Sequence, residues 1–271
     1  MGGFARRTRF WTEFARKYPD KPTLRLDGGS IFVFGPAEAP IQNRWILEGT
    51  FNSKLDALNL SSSDLPVWRE FGDLAAAGQI PAQWLRLPLV SANVAPKVAG
   101  FPKVRRYIVK EIPIDPKSGK NLRIGITGVL FDPEERVSRA EFEVQDPEKS
   151  LRQVVEEMKA DTDYRVVLTE QTLGKAISLA VSLPAISLMA VSHDYSVAAD
   201  PQQVGDTLLF ITVNEGRMIS EARVAVDMTS SRISLETRFI PLDRTVPGDP
   251  AMAELERRAN AELAKFKEAN R

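Results

Sequence analysis

Short apolar runs alternate with helix-like segments over the first two thirds of this chain. The runs with the composition of buried strands lie at residues 56–60, 87–94, 123–131, 165–169 and 186–192. Another run, within residues 23–34, is interrupted by Asp-Gly-Gly-Ser, which is typical of a strand that ends in a tight loop. Because strands that alternate with helices form helix-covered sheets, the chain is predicted to belong to the α/β class with mixed sheets.

The start of one helix is marked at Asp146, which precedes a proline. A side-chain acceptor followed by proline is typical of the first positions of a helix. The apolar residues that follow at helical spacing are Leu151, Val154, Val155 and Met158. We expect this apolar face to lie on a sheet.

The same start signal, at Asp249, precedes a final amphipathic helix. Such a helix is marginally stable alone, so we expect it to dock on the body of the protein. The apolar residues that would make this contact are Leu255, Leu263 and Phe266. The sequence shows no linker before this helix, and we divide the chain into one domain at 1–248 and a C-terminal amphipathic helix at 249–271.

Two further segments are periodic. Near the N-terminus, aromatic residues recur at helical spacing and predict a first helix whose aromatic face packs in the core. These residues are Phe10, Trp11, Phe14 and Tyr18. Near the C-terminus, residues 222–228 and 233–239 alternate apolar and polar side chains around a Thr-Ser-Ser turn, which predicts an antiparallel hairpin with one face in solvent.

Charge and cysteine content exclude several function classes. The 36 basic and 36 acidic residues balance, so no net charge attracts nucleic acid or an anionic membrane. The chain has no cysteine, which excludes disulfides, thiolate nucleophiles and cysteine-ligated metal sites. Binding must therefore depend on local sites rather than on the overall charge.

No targeting segment is recognisable in the chain as written. The basic N-terminal residues are not followed by an apolar h-region, so no signal peptide is expected and the location would be cytoplasmic. A signal peptide missing upstream would make it periplasmic instead. The most apolar stretch, 176–191, is short for a membrane span and is cut by Pro184, so no membrane insertion is expected.

Several short motifs occur in a fixed order along the chain. They are Gly-Gly-Phe-Ala-Arg-Arg at 2–7, Leu-Asp-Gly-Gly-Ser at 26–30, Asp-Ala-Leu-Asn-Leu-Ser-Ser-Ser-Asp at 56–64, Ser-Ala-Asn-Val at 91–94, Val-Val-Leu-Thr-Glu at 166–170 and Ser-His-Asp-Tyr at 192–195. In this order and spacing they resemble segments of the calcineurin-like metallophosphoesterases, in the branch of 5′-nucleotidases and UDP-sugar hydrolases. The resemblance extends over nearly the whole chain.

The resemblance implies a four-layer α/β/β/α sandwich of two mixed sheets, and it leaves open whether the family's first strand is absent. It also implies metal-dependent hydrolysis of phosphoric esters at two bound cations. The chain as written does not continue into the family's C-terminal nucleotide-binding domain. Specificity for a nucleotide is therefore not expected.

Carried over position by position, the family's metal ligands are almost all replaced. The residues at ligand positions are Ser30, Ser62, Ser63, Glu170, His193 and Tyr195, of which only His193, the single histidine of the chain, matches the family. Serine hydroxyls bring neither charge nor a strong donor to a divalent cation. The resemblance therefore implies a degenerate enzyme without a cofactor, which acts as a binding or interaction module for an unknown protein or a small anionic ligand.

An alternative keeps catalysis at a rearranged, carboxylate-rich site. Asp27, Asp64, Glu170 and His193 lie at or near predicted strand ends, which converge at one edge of an open α/β sheet. Together they would hold one Mg²⁺ or Mn²⁺ through oxygen ligands. The catalytic candidates of this active phosphoesterase are His193, Glu170 and the neighbouring Asp194.

Two weaker alternatives use the same segments. Ser30 or Ser62 would form a hydrolytic triad with His193 and Asp194, but adjacent residues at a strand end point to opposite faces. The backbone N–H groups of 28–30 and 61–63 would cradle an anion, although ordinary turn chemistry explains these segments equally well. The favoured interpretation of His193 itself is a structural residue that caps a strand end.

Overall fold

The computed structural model describes residues 3–115, 120–132, 135, 137–192, 200–212, 216–227, 229–230 and 233–270. The helices of this part are α1 (Phe4–Lys17), α2 (Ala39–Asn52), α3 (Leu65–Ala76), the 3₁₀ helix η1 (Ala82–Leu85), α4 (Pro147–Lys159), α5 (Leu173–Ser182) and α6 (Pro250–Ala269). The strands are β1 (Leu26–Asp27), β2 (Ala57–Asn59), β3 (Leu89–Val90), β4 (Val94–Pro96), β5 (Val104–Arg105), β6 (Ile108–Asp115), β7 (Lys120–Val129), β8 (Phe142–Val144), β9 (Tyr164–Thr169), β10 (Leu188–Val191), β11 (Gln202–Val204), β12 (Thr207–Ile211), β13 (Met218–Val226) and β14 (Ile233–Pro241).

Two sheets form the centre of the molecule. The small sheet has the strand order β1-β2-β3-β5, and all three of its strand pairs are parallel. The large sheet has the order β11-β12-β10-β9-β7-β6, in which the four inner strands are parallel and both outer strands are antiparallel. The prediction of mixed sheets therefore holds for the large sheet, whereas the small sheet is parallel.

Side chains point alternately to the two faces of each sheet, and this separates three core layers. In β2 and β3, Leu58 and Leu89 face the helices α2 and α3, whereas Ala57 and Val90 face the large sheet. On the other side of the large sheet, Met189 packs with residues of α4 and α5. The resulting order of helices, small sheet, large sheet and helices confirms the predicted four-layer α/β/β/α sandwich.

The predicted helix starts and the hairpin are present in the structure. Asp146 accepts a hydrogen bond from Lys149 N at 2.7 Å, and Asp249 accepts one from Met252 N at 3.1 Å, as capping residues do. Strands β13 and β14 pair antiparallel over their full length. The Thr-Ser-Ser turn between them lies partly outside the described residues.

Helix α1 forms as predicted, but its aromatic face is less buried than the prediction of a face packed in the core. The helix forms, but Phe10, Trp11, Phe14 and Tyr18 are only partly buried. Their rings line an open cavity, and Trp11 also packs against the core between the small sheet and its helices. The spacing of these residues identified the helix and its apolar face, but not the contacts of that face.

Helix α6 packs against α1 and α2. Leu255 is buried beside Ala5 and Met252, whereas Leu263 and Phe266 keep part of their surface in solvent. Ion pairs hold the outer part of the helix, including Arg258 with Glu48 at 3.1 Å, Lys267 with Glu38 at 3.3 Å, and Glu262 with Arg44. In the part of the chain that the structure describes, no helix combines the length and apolarity that crossing a bilayer requires.

We predict that Leu255 carries most of the apolar docking energy of α6. Leu255→Ala is expected to lower the free energy of unfolding by about 2–4 kcal/mol, because it leaves a cavity at a buried position. The matched variant Leu263→Ala is expected to cost clearly less, since this side chain is partly exposed. Urea denaturation measures both. Equal losses, or rapid amide exchange throughout α6, would show that the helix is not docked in this way.

Candidate functional site

The candidate site lies where loops from both sheets meet at the carboxyl ends of their strands. The small sheet contributes the loops after β1 and β2, and the large sheet contributes the residues that follow β7, β9 and β10. Ligand sites of open α/β sheets lie at this end of the strands. The same convergence was predicted for Asp27, Asp64, Glu170 and His193.

Glu170 joins these loops. Its Oε1 accepts hydrogen bonds from Ser62 N at 3.1 Å and from Phe131 N at 3.3 Å, and its Oε2 accepts one from Ser30 Oγ at 3.3 Å. We call these three donors, Ser30 Oγ, Ser62 N and Phe131 N, the Glu170 cradle. Two of them belong to the small sheet and one to the large sheet, so a single carboxylate connects the two sheets.

A chain of serine hydroxyls surrounds the cradle. Ser30 N donates to Ser61 Oγ at 3.0 Å, and Ser63 Oγ lies 3.3 Å from Ser61 Oγ and 3.5 Å from Ser30 Oγ. Ser30 has a positive φ of 57°, which a non-glycine residue adopts only at some cost. Gly29 precedes it at φ 92°, where a Cβ would lie 2.8 Å from Asn59 O. The tight turn therefore directs the Ser30 hydroxyl towards Glu170.

The carboxylate of Asp64 is hydrogen-bonded to the backbone of the loop after β1. Its two carboxylate oxygens each accept a hydrogen bond at 3.1 Å, one from Ile31 N and one from Phe32 N. Burial raises the pKa of Asp64 to about 6, although the hydrogen bonds from Ile31, Ser61 and Phe32 act in the opposite direction. This carboxylate holds the loop in place, and both its oxygens are already engaged.

Asp27 pairs with a cation of α1. Its carboxylate lies 3.5 Å from Arg7 Nη1 and accepts a hydrogen bond from Gly29 N at 3.2 Å. Burial raises the pKa of Asp27, while the charge of Arg7 and the Gly29 bond lower it. As with Asp64, its interactions are internal to the protein.

The carboxyl group of Glu170 is also shifted by its surroundings. Burial raises the pKa of Glu170 to about 7, and the negative charge of Asp64 adds to this rise. The hydrogen bonds from Ser62, Phe131 and Ser30 lower it but do not outweigh burial. Near neutral pH, Glu170 is therefore distributed between a protonated and an ionised form.

The structure brings together only part of the predicted cation site. His193 and Asp194, as well as Tyr195, lie outside the described residues. Among the residues that are described, no three His, Asp or Glu side chains are grouped so that they would hold a metal ion. Asp27, Asp64 and Glu170 are instead satisfied separately by Arg7 and by backbone N–H groups.

The main-chain groups that take part in the site could not be identified from the sequence. Phe131 contributes only its N–H group, and any residue except proline has one. The main-chain carbonyl of Gly28 accepts a hydrogen bond from the Oγ of Ser192, the residue after β10, at 3.2 Å, which ties the large sheet to the loop after β1. The motif order pointed to the segment of Ser192 but not to this contact.

Comparison with known proteins places this arrangement in a structural group. No protein-family model matches the sequence, and a search of curated proteins gives no match. Among solved structures, a 5′-nucleotidase precursor from Thermus thermophilus superposes with a TM-score of 0.76 at 17% identity, and the match covers 97% of this chain and 54% of the precursor. The fold is that of a 5′-nucleotidase. It is thus the fold that the resemblance implied.

Two further structures agree. The sulfate thiohydrolase SoxB of Thermus thermophilus gives a TM-score of 0.75 at 16% identity, with 98% of this chain and 48% of SoxB covered. The NAD nucleotidase of Haemophilus influenzae gives a TM-score of 0.70 at 11% identity, with 99% of this chain and 61% of the nucleotidase covered. This chain therefore spans about half the length of the two Thermus proteins.

The residues of the site that the structure describes do not fit the two-metal centre that the resemblance to phosphoesterases implies. The oxygen atoms grouped most closely are the hydroxyls of Ser30, Ser61 and Ser63, which are weak ligands for a divalent cation. The carboxylates beside them are also engaged: Glu170 accepts three hydrogen bonds, and Asp64 accepts bonds from two backbone N–H groups. Serine and backbone donors suit an acceptor such as a carboxylate better than they suit a cation.

The replaced ligands predict that purified protein carries no stoichiometric transition metal. Elemental analysis by inductively coupled plasma mass spectrometry is expected to find Mn, Zn and Fe far below one atom per chain, because hydroxyl groups do not retain such ions. The variant Glu170→Ala is expected to give the same result. About one or more of these atoms per chain in the wild type, lost in the variant, would contradict the prediction.

The raised pKa of Glu170 predicts a specific dependence of stability on pH. Between its ordinary value of 4.5 and about 7, the folded state binds a proton that the unfolded state has released, so stability falls as pH rises through this window. Glu170→Gln removes the titration. From pH 4.5 to 7.5 the wild type is expected to lose about 1–3 kcal/mol more than this variant.

Urea denaturation at several pH values tests this difference. The control variant Glu70→Gln changes an exposed carboxylate on α3 and is expected to keep the pH dependence of the wild type. Parallel curves for the wild type and Glu170→Gln would show that Glu170 titrates alike in the folded and unfolded states.

Proposed function

We propose that this protein is a catalytically inactive relative of 5′-nucleotidase-type phosphoesterases and that it acts by binding rather than by hydrolysis. The observation that carries the proposal is the Glu170 cradle, in which a carboxylate of the protein itself occupies the meeting point of the strand-end loops. The fold is shared with the 5′-nucleotidase structures, and the proposal of binding instead of hydrolysis rests on the side chains of this chain at the strand ends.

Hydrolysis of a phosphoric ester needs positive charge on the transferred group and an activated water. Around Ser30, Ser62 and Ser63 the side chains offer neutral hydroxyls. When it is ionised, Glu170 adds negative charge, which repels a phosphate rather than stabilising it. The described part of the site therefore opposes the charge that develops during this reaction.

The same contacts support a structural role for Glu170 and Asp64. Glu170 links the loops after β2, β7 and β1, while Asp64 fixes the loop after β1 through two backbone N–H groups. These bonds hold the loops without a metal ion. A rigid arrangement of loops at one end of a sandwich is suited to present a surface to a protein or to a small anionic ligand.

One observation favours the alternative of an active enzyme. A buried carboxyl group with a pKa of about 7 is suited to act as a general base near neutral pH, and Glu170 is such a group. In this alternative Glu170 and His193 would assist one Mg²⁺ or Mn²⁺, with Asp27 and Asp64 as further oxygen ligands. It requires Asp27 and Asp64 to leave their present partners.

We predict no turnover of 5′-AMP, UDP-glucose or p-nitrophenyl phosphate above background with added Mg²⁺, Mn²⁺ or Zn²⁺. The expected reason is that the hydroxyls at the serine positions do not supply cationic stabilisation. Release of inorganic phosphate, uridine phosphate or nitrophenol measures the rate. The variants His193→Ala and Glu170→Ala provide the controls, since activity of a contaminant would be the same in both. Metal-dependent turnover that either variant abolishes would establish the alternative and end the proposal.

A further inference from the structure

The loop after β1 is held in place by side chains. We call its residues 29–33 the Ser30 loop, and each of their backbone N–H groups donates to a side-chain oxygen at 2.8–3.2 Å. The acceptors are Asp27 for Gly29, Ser61 for Ser30, Asp64 for both Ile31 and Phe32, and Asn43 for Val33. The order of the Ser30 loop therefore depends on the elements that position these side chains.

The two ends of the Ser30 loop are held by two different helices. At one end, Asn43 of α2 accepts a hydrogen bond from Val33 N at 2.8 Å and donates one to Val33 O at 2.9 Å. At the other end, Arg7 of α1 lies 3.5 Å from the carboxylate of Asp27, which accepts the hydrogen bond from Gly29 N. A displacement of either helix would therefore reach a different end of the loop.

Helix α6 holds the start of α1. The N-cap residue of α1 is Gly3, which has no side chain, and the first turn of α1 contains no acidic residue. Glu256 of α6 supplies the missing acceptor, because its Oε1 accepts a hydrogen bond from Ala5 N at 2.9 Å. The carboxylate also interacts favourably with the positive end of the helix dipole. In addition, Asp249 N donates to Ala5 O at 2.9 Å, and Leu255 packs against Ala5.

Helix α2 is fixed by the core. Its Leu47 is fully buried between the small sheet and the helices, and Asn43 is 4% exposed. The contact of α6 with α2 lies nearer to the surface, where Glu262 accepts a hydrogen bond from Trp45 Nε1 at 2.8 Å. Loss of the contacts of α6 is therefore expected to loosen α1 more than α2.

We propose that α6 regulates the Glu170 cradle through α1. When α6 releases α1, the pair of Arg7 and Asp27 loosens, the Ser30 end of the loop becomes mobile, and Glu170 loses one of its three donors. The Val33 end of the loop stays bound to α2. The inference rests on the proposed function only in placing the binding site at the cradle, and the motion of the loop is measurable whatever the site binds.

The first experiment compares two carboxylates of α6 that are two residues apart. Glu256→Ala removes the acceptor for α1, whereas Glu254→Ala removes the partner of Arg257 in an exposed pair within α6. Hydrogen exchange of the intact chain is followed by NMR. Glu256→Ala is expected to speed exchange of the Gly29 and Ser30 amides by about tenfold, the size of effect that loss of a helix cap produces. Glu254→Ala is expected to leave both amides unchanged.

Amides that are expected not to respond separate coupling from a general loss of stability. In Glu256→Ala, exchange of Val33 and of Leu168 in β9 is expected to stay within about twofold of the wild type, since these amides lie in segments that α1 does not hold. Acceleration of Val33 and Leu168 to the same extent as Ser30 would overturn the proposal. Unchanged exchange of Ser30 in Glu256→Ala would overturn it too.

A double-mutant cycle tests whether the pair of Arg7 and Asp27 carries the coupling. In the background of Asp27→Asn, Glu256→Ala is expected to change Ser30 exchange by less than about twofold, because the connection is already broken. Arg7→Gln breaks the same pair and replaces Asp27→Asn if that variant does not fold. A full tenfold effect of Glu256→Ala in either background would contradict the proposal.

Coupling between two sites acts in both directions, which gives an independent measurement. The amide of Ala5 reports the docking of α6, because it donates to Glu256. Asp27→Asn is therefore expected to speed exchange of Ala5, although the substituted residue lies in β1. Exchange of Ala5 at the wild-type rate in this variant would show that α6 and the Ser30 loop are not coupled.

Discussion

Face-to-face packing of the two sheets is the contact on which the rest of this structure depends. Between them lie Ala57 and Val90 of the small sheet and Ile126 and Leu168 of the large sheet, all of them buried. The sheets approach so closely that a Cβ on Gly128 would lie 2.0 Å from Asn59 Oδ1. With the sheets held at this spacing, the loops at their carboxyl ends come within hydrogen-bond distance of one another, and Glu170 connects them.

The same packing keeps the serine-containing loops ordered around Glu170. Burying a carboxylate without partners would cost several kcal/mol, which is the reason for the raised pKa of Glu170. Three donors offset part of that cost, and two of them are backbone N–H groups that only a substitution by proline would remove. Glu170 thus links loops that the packing of the two sheets brings together.

Local signals were sufficient for much of the fold. The Asp-Pro starts of α4 and α6, the hairpin of β13 and β14, and the buried strands β2, β3, β7, β9 and β10 were predicted, because capping and periodicity are properties of neighbouring residues. The buried strand β12 was not predicted. The family order of the motifs placed Ser30, Ser62 and Glu170 together before any distance was known. The features that could not be predicted depend on contacts between residues that are far apart in the sequence. The N–H group of Phe131 has no sequence signature. The hydrogen bonds of Asp64 to Ile31 N and Phe32 N depend on the tight turn at Ser30. The contacts of the aromatic face of α1 depend on other elements.

The central claim is that Glu170, and not a metal ion, occupies the meeting point of the loops. The most direct measurement is a crystal structure of the protein grown with Mn²⁺ and 5′-AMP, with anomalous diffraction recorded at the manganese absorption edge. The account predicts the Glu170 carboxylate within hydrogen-bond distance of Ser62 N and Phe131 N, and no anomalous peak beside Ser30 or Ser62. A manganese peak bonded to Glu170 or Asp27, with the phosphate of 5′-AMP on it, would contradict the account.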